Sequence, residues 1–364
     1  MALMAVLLAP AGALAQEEAA PPEWFHSVTL AGGLTLVAQN TSGNNVDKAK
    51  DQADFSFSTD LLITAKIDEE QQIFFGLEAG DGHSVSDNIG SRALVNYDAY
   101  ITSIGGMTRL NVSQAYYKAE LAGGMFVFAA GKMDQPALTD ANQFANDETT
   151  QFLNGLFVRS FGVVFHELPF YYAPTLYLQL KVPFFSFTSS YSNPDGFDLG
   201  GKRCVVAQVG AHVGDGDMKG NYLFGYTSHK EEFTKLSSGA AAVNTGFFVS
   251  LDQGFGPFGL FFRFAQQDKT IAQNEVISAM SGGISINGFM ENEGNGVGLA
   301  YGTLELNTNI IKEYNTGMDV AEFYIRFGTS AKTQLTLDIQ RLNDLERPTK
   351  RQIYVGGIRF QANI

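Results

Sequence analysis

Apolar and polar positions alternate along most of this chain with a period of two. In residues 54–66, Phe55, Phe57, Thr59, Leu61, Ile63 and Ala65 fall on one face. Asp54, Ser56, Ser58, Asp60, Thr64 and Lys66 fall on the other, with Leu62 the exception. Residues 333–340 set Leu335, Leu337 and Ile339 against Thr336, Asp338 and Gln340, and the last stretch sets Ile358, Phe360, Ala362 and Ile364 against Arg359, Gln361 and Asn363. Similar patterns occupy 71–80, 92–104, 108–121, 123–133, 174–191, 202–213, 217–228, 245–253, 257–267, 296–306 and 320–328. With 28–38 and one or two weaker stretches they predict about sixteen strands, a number associated with barrels that hold an aqueous channel. Clusters such as Gly214-Asp-Gly-Asp217 and Glu291-Asn-Glu-Gly-Asn-Gly296 part many of them. No Pro/Ser-rich linker or fixed-period repeat divides the chain, which reads as one all-β domain over 27–364.

Two architectures give every strand an apolar and a polar face. A sandwich hides the apolar face in its core, whereas a membrane barrel turns it to lipid and encloses water with the other. Full charges on the polar face (Asp60, Glu78, Arg263, Glu322, Arg326, Asp338, Arg359) suit a wet interior. Aromatics gather near strand ends, as in Pro169-Phe-Tyr-Tyr172 and Pro183-Phe-Phe-Ser-Phe187, where interfacial girdles would lie. Residues 1–15 form an apolar run ending Ala13-Leu14-Ala15, the pattern of a secretory signal peptide, although no Lys or Arg precedes it. An acidic, Pro-containing linker follows over 16–26, and beyond residue 15 no run of 18 apolar residues occurs. The expectation is an exported, transmembrane antiparallel β-barrel. A secreted β-rich glycan-binding or glycan-degrading protein is the alternative of a different class.

The net charge of −14 argues against nucleic acid as a partner. The single cysteine, Cys204, sits in a strand pattern and reads as a buried or lipid-facing small hydrophobe. The five histidines are scattered, with no His-Glu-x-x-His pair and no Gly-x-Ser-x-Gly elbow, so neither a metal site nor an enzyme is expected. No cofactor is expected either. Gly80-Asp-Gly-His83 and Gly214-Asp-Gly-Asp-Met-Lys-Gly220 lack the remaining ligands of a calcium loop and read as hairpin turns.

One stretch stands apart. After Gly131-Lys-Met-Asp134 comes Asp140-Ala-Asn-Gln-Phe-Ala-Asn-Asp-Glu-Thr-Thr-Gln-Phe-Leu-Asn154, amides and carboxylates with Phe144 and Phe152 set among them. Such groups suit sugar recognition, where hydroxyls want donors and acceptors and C–H faces pack on rings. They also suit an ordinary polar loop with its two Phe residues tucked beneath. The stretch resembles the corresponding segment of the carbohydrate-selective outer-membrane porins, the OprB-like family. Glu322-Phe-Tyr-Ile-Arg326, Leu335-Thr-Leu-Asp-Ile-Gln340 and Ile353-Tyr-Val-Gly-Gly-Ile-Arg-Phe360 resemble that family's last three strands, and Gly296-Val-Gly-Leu-Ala-Tyr301 more weakly the strand before. The chain departs from the pattern in ending on Ile364 and in lacking an Asn-Pro-Gly turn after Gln340.

The resemblance implies a passive channel in the outer membrane of a Gram-negative bacterium, lodged in lipid and preferring mono- and small oligosaccharides over other small hydrophilic solutes. A general or cation-preferring porin is the alternative in the same membrane. The sequence does not distinguish single barrels from homotrimers. Residues 134–154 are expected to fold inward and line the pore. Asp140, Asn142, Asn146, Asp147, Glu148 and Gln151 would there meet Arg263, Arg326 and Arg359 from the wall, and the opposed charges would set a transverse field. The competing expectation is that Asp140 and Asn142 make local turn bonds and cap a short helix near Asn146.

Overall fold

The structure, a computed structural model, describes residues 27–43, 51–82, 84–89, 92, 94–104, 110–161, 172–194, 201–310, 317–344 and 351–364. The expected signal peptide (1–15) and linker (16–26), and His26, His83, His166 and 169–171, lie outside the described residues. The strands are β1 (Ser27–Ser42), β2 (Ala53–Lys66), β3 (Gln71–Gly82), β4 (Asn111–Leu121), β5 (Phe126–Asp134), β6 (Tyr172–Val182), β7 (Phe185–Ser192) and β8 (Arg203–Val213). They continue as β9 (Gly220–Thr234), β10 (Ala241–Phe255), β11 (Phe258–Gln267), β12 (Val276–Asn287), β13 (Gly296–Leu306), β14 (Gly317–Gly328), β15 (Thr333–Asp344) and β16 (Arg351–Asn363). Each pairs antiparallel with its neighbours in sequence. β1 closes on β16 through a register running from Gly33 opposite Asn363 to Ser42 opposite Tyr354. Closure pairs both flanks of every strand, the condition for a sheet to cross lipid.

The alternation in the sequence becomes the two sides of this wall. Phe55, Phe57, Leu178, Phe187, Phe224, Leu299, Ile339 and Ile358 are exposed on the outside, where a membrane barrel meets acyl chains. Ser56, Ser58, Asp338, Arg359 and Gln361 are buried on the inside. Phe184, Phe185 and Phe187 cluster exposed at the β6–β7 turn, as an interfacial girdle requires. Cys204 is fully buried on the inner side with Val206, Phe248 and Ala265.

Connections at one rim are short: 67–70, 122–125, 183–184, 214–219, 256–257, 288–295 and 329–332. At the other rim the chain leaves the wall for two long excursions, described over 84–89, 92 and 94–104 between β3 and β4 and over 135–161 between β5 and β6. The first carries α1 (Ser86–Ile89) and α2 (Tyr97–Ile104), the second α3 (Gln135–Thr139) and α4 (Gly155–Val158).

Four details differ from the sequence reading. The stretch 92–104 holds α2 rather than a strand, because the Asn96 side chain accepts from Ala99 N at 3.0 Å and starts a helical turn. The stretch 174–191 is two strands joined at 183–184. β12, whose Gly282-Gly283 step breaks its alternation, is a strand outside the stretches that the pattern marks. Gly80-Asp-Gly leads from β3 into the first excursion instead of turning a hairpin, whereas Gly214–Gly220 does turn one.

Candidate solute path inside the barrel

The second excursion is directed inward by its own sequence. β5 ends at Asp134, whose carboxylate accepts from Ala137 N at 3.0 Å and caps α3, with Pro136 in the first turn. Asp140 follows α3. Its carboxylate accepts from Ser160 N at 2.6 Å and Ser160 Oγ at 2.7 Å, drawing the ends of 140–160 together, and it pairs with Arg263 at 2.6 Å. Both partners of this ion pair are buried. Losing one partner of such a pair costs ~3–5 kcal/mol because the other is left uncompensated.

The other two arginines are used in the same way. Arg359 donates to the carbonyls of Glu148 (2.6 Å) and Gln151 (2.7 Å), and Arg326 to those of Thr150 (2.6 Å) and Gly294 (3.0 Å). Arg263 also reaches the carbonyl of Ala145 at 2.8 Å and Asn146 Oδ1 at 3.3 Å. From the wall, Glu322 accepts from the main-chain N–H groups of Leu153 (2.6 Å) and Asn154 (3.0 Å). Asn154 donates to Gln340 at 2.9 Å while its own Oδ1 caps α4 through Leu156 N.

The first excursion lies against the second. Tyr97 N donates to Leu153 O at 2.9 Å and Gly155 N to Leu94 O at 3.0 Å, a short ladder between them. Val95 O accepts from Gln39 on β1 (3.0 Å) and from Gln340 on β15 (2.8 Å). Asn96 donates to Ser56, and Ser58 donates to Asp98 at 2.7 Å.

Beneath both excursions is a core that the barrel wall completes. Val95, Tyr97, Phe152, Leu156 and Phe157 meet Ala300, Leu304, Val320, Leu342, Ile353 and Val355. Phe152 has no exposure and packs edge-on to Tyr324 with ring centres 5.0 Å apart. Inner-face glycines make the room. A Cβ at Gly298 would lie 2.2 Å from the Tyr324 ring and 2.9 Å from Phe152, and one at Gly259 2.2 Å from Phe144. Phe144 and Phe152 therefore hold the segment to the wall.

The polar residues singled out in sequence divide by what they touch. Asp140 and the three arginines anchor the segment. Asp147 orders its turn by accepting from Thr149 N (2.8 Å), Thr149 Oγ1 and Thr150 Oγ1. Gln151 Oε1 accepts from Asn146 N at 2.7 Å and Asp147 N at 3.2 Å. Glu148 and Asn142 border cavities. Glu148 joins Ser58, Asp60, Glu78, Asp98, Asp134 and Tyr172 around about 200 Å³ between the segment, α2 and the β2–β4 wall. Asn142 joins Gln143, Gln179, Ser186, Gln208, His212, Lys219 and Asn221 around about 290 Å³ along β6–β9, towards the short-turn rim. There His212 bridges Ser186 Oγ (2.8 Å) and Asn221 Oδ1 (2.9 Å), and Gln208 Oε1 is buried without a protein donor.

Taking 92–104 as a strand hides Asp98 and the role of Gln39 and Gln340 in holding Val95. The wall amides Gln179, Gln208 and Asn221 are also absent from the residues picked out in sequence. Their signal was present as amides at inner-face positions of β6, β8 and β9.

A porin-type barrel narrowed by inward-folded chain is thus the class this geometry defines. No family model matches the sequence. An uncharacterized protein of Aquifex aeolicus is 29% identical over 236 residues, 64% of this chain and 62% of that protein's length. The high-pH structure of Pseudomonas putida OprB superposes with a TM-score of 0.76 over 93% of this chain and 94% of that one, at 16% identity. Its low-pH structure gives 0.56 over 93% and 92%, at 12% identity. The outer-membrane channel DcaP of Acinetobacter baumannii gives 0.58 over 93% and 97%, also at 12%. The chain has the fold of the outer-membrane porins, a single closed antiparallel barrel of sixteen strands.

Proposed function

We propose that this protein is a passive outer-membrane channel that admits small hydrophilic solutes and favours mono- and small oligosaccharides. The observation that carries the reading is the amide-rich cavity beside the inward segment. Asn142, Gln143, Gln179, Gln208 and Asn221 offer neutral donors and acceptors at several angles, with Ser186 and His212 between them. Neutral groups match sugar hydroxyls without demanding a charged partner, and their bonds are individually modest, so a solute that binds can also leave. The likeness to OprB supports the same reading at the level of fold.

Liposomes carrying the folded protein should swell quickly in glucose and small oligosaccharides and more slowly in size-matched polyols and amino acids. Gln208→Leu with Gln179→Leu should narrow that difference. Swelling that tracked solute size alone would sink the sugar preference while keeping the channel, and no swelling would sink both.

A further inference from the structure

Four adjacent strands carry one row of polar side chains across the inner wall towards the short-turn rim. Ser186 lies on β7, His212 on β8, Asn221 on β9 and Asp252 on β10, with His212 directly opposite Asn221 and Asn221 opposite Asp252. Side chains placed opposite one another share a face and meet. Gly210, opposite Ser186, leaves the gap that the row needs: a Cβ there would lie 2.6 Å from Ser186 Oγ and 3.1 Å from His212 Nε2.

The direction of every bond in the row follows from its last member. Asp252 is 2% exposed and is not among the residues bordering the amide-rich cavity along β6–β9. Its carboxylate receives N–H groups from Gln143 (main chain 3.1 Å, side chain 2.5 Å) and from Asn221 (main chain 3.2 Å, side chain 2.9 Å). A carboxylate only accepts, so the Asn221 atom facing it is the amide nitrogen, and the amide oxygen turns to His212. That oxygen lies 2.9 Å from Nδ1 and so requires the imidazole proton there. Nε2 of the neutral ring is then bare and accepts the Ser186 hydroxyl proton over 2.8 Å. Ser186 and Asn221 Oδ1 are left with lone pairs to offer. Gln143 and Gln179 end in the same way. Their side-chain nitrogens donate to Asp252 and to Thr188 Oγ1 (3.0 Å), and their side-chain oxygens accept from no donor among the described residues.

We propose that Asp252 is a specificity-determining positioning residue: through Asn221 and His212 it fixes this cavity as a set of hydrogen-bond acceptors, which favours solutes rich in free hydroxyl donors over those whose hydroxyls are etherified or replaced. The proposal rests on the sugar-channel reading of the same cavity. A free sugar carries a donor on nearly every carbon and can fill several of these oxygens at once. Gln208 and Lys219 border the same cavity and carry donors, so a ring oxygen is served too.

The test uses the full-length protein in lipid nanodiscs with nitrogen-labelled histidine, His212 being assigned against His212→Gln. At about pH 8, above the ordinary histidine range, the ring should carry its proton on Nδ1. Glucose should shift the His212 resonances at a concentration about two- to tenfold lower than deoxyfluoro-glucoses do, the scale of one lost hydrogen bond, because fluorine of similar size cannot donate. Asp252→Leu should mix the two tautomers and bring that ratio close to one. A merely structural role for Asp252 would leave the tautomer as it was. A proton on Nε2 in the unaltered protein would overturn the proposal whether or not the variant assembles. Equal response to both kinds of sugar, or a ratio that survives Asp252→Leu, would overturn it as well, and in each of these cases the sugar-channel reading stands. Glucose that never shifts His212 would overturn the proposal together with the part this cavity has in that reading.

Discussion

Arg263, Arg326 and Arg359 each end on main-chain oxygens of the inward segment, a use for which a planar guanidinium with five fixed donors is better shaped than an ammonium. Arg263 is paired with the Asp140 carboxylate, whereas the charge of Arg359 still acts on Asp98. Two carboxylates of the cavity beside α2 lie outside the strands. Burial raises Glu148, against the pull of Arg159 and with Asp147 adding, to about 8. Burial also raises Asp98, against its bond from Ser58 and the charge of Arg359 and with Asp147 adding, to about 6. Asp60 on β2, Glu78 on β3, Asp134 on β5 and Tyr172 on β6 border the same cavity. A carboxyl with a raised pKa is neutral below that value and gains its charge as pH climbs through it. The K⁺/Cl⁻ permeability ratio should therefore grow between about pH 5 and about pH 9, the range that brackets both groups. About half of the change should lie between the two values, and Glu148→Gln should remove its upper part. A ratio flat over that range would contradict the placement of these charges on the ion path.

Among the elements, β13 shows how the wall accepts its filling. Gly296, Gly298, Ala300 and Gly302 form a low inner face on which Phe152 and Leu156 rest. Gly298→Val should strain this seat by ~1–3 kcal/mol, the usual range for overpacking. It leaves the lipid face untouched, so heat-modifiable gel migration should persist while the melting temperature falls and single-channel current becomes noisier. Gly357→Ala, where an added Cβ would meet nothing nearer than 3.5 Å, is the comparison expected to be quiet. Strands were legible in the sequence where one face carried a charge or an amide, as in β2, β15 and β16. β12 was not, because its inner residues Ala279, Ser281, Gly283 and Ser285 lack a charge or an amide to mark the lumen side. The inner positions Leu304, Leu306, Met318, Val320, Leu342, Ile353 and Val355 held an unread clue: an apolar inner face needs something dry to cover it.

For the whole molecule, the barrel and its filling are separable in principle, since β5 and β6 pair directly from Asp134 opposite Tyr172. Asp140 and Ser160 are within hydrogen-bond reach, so a short Gly/Ser linker could replace 141–159. The shortened protein should still close, with conductance at least about twofold higher, as expected of a sixteen-strand barrel left open. It should pass larger solutes, lose its preference for sugars and melt earlier, since the inner apolar wall would be bared. Liposome swelling with graded oligosaccharides measures the first effects and thermal unfolding the last. The sequence named the residues 140–154 and their arginine partners. That the contacts would fall largely on main-chain carbonyls was hidden, because every residue carries that group and no side-chain pattern reports it.

The carbonyl of Val95 is held from β1 by Gln39 and from β15 by Gln340, with β16 lying between those strands. The two ends of the chain must therefore have met before this oxygen can find both of its donors. Full seating of the 94–97 stretch on the wall therefore follows the meeting of the chain's first and last strands.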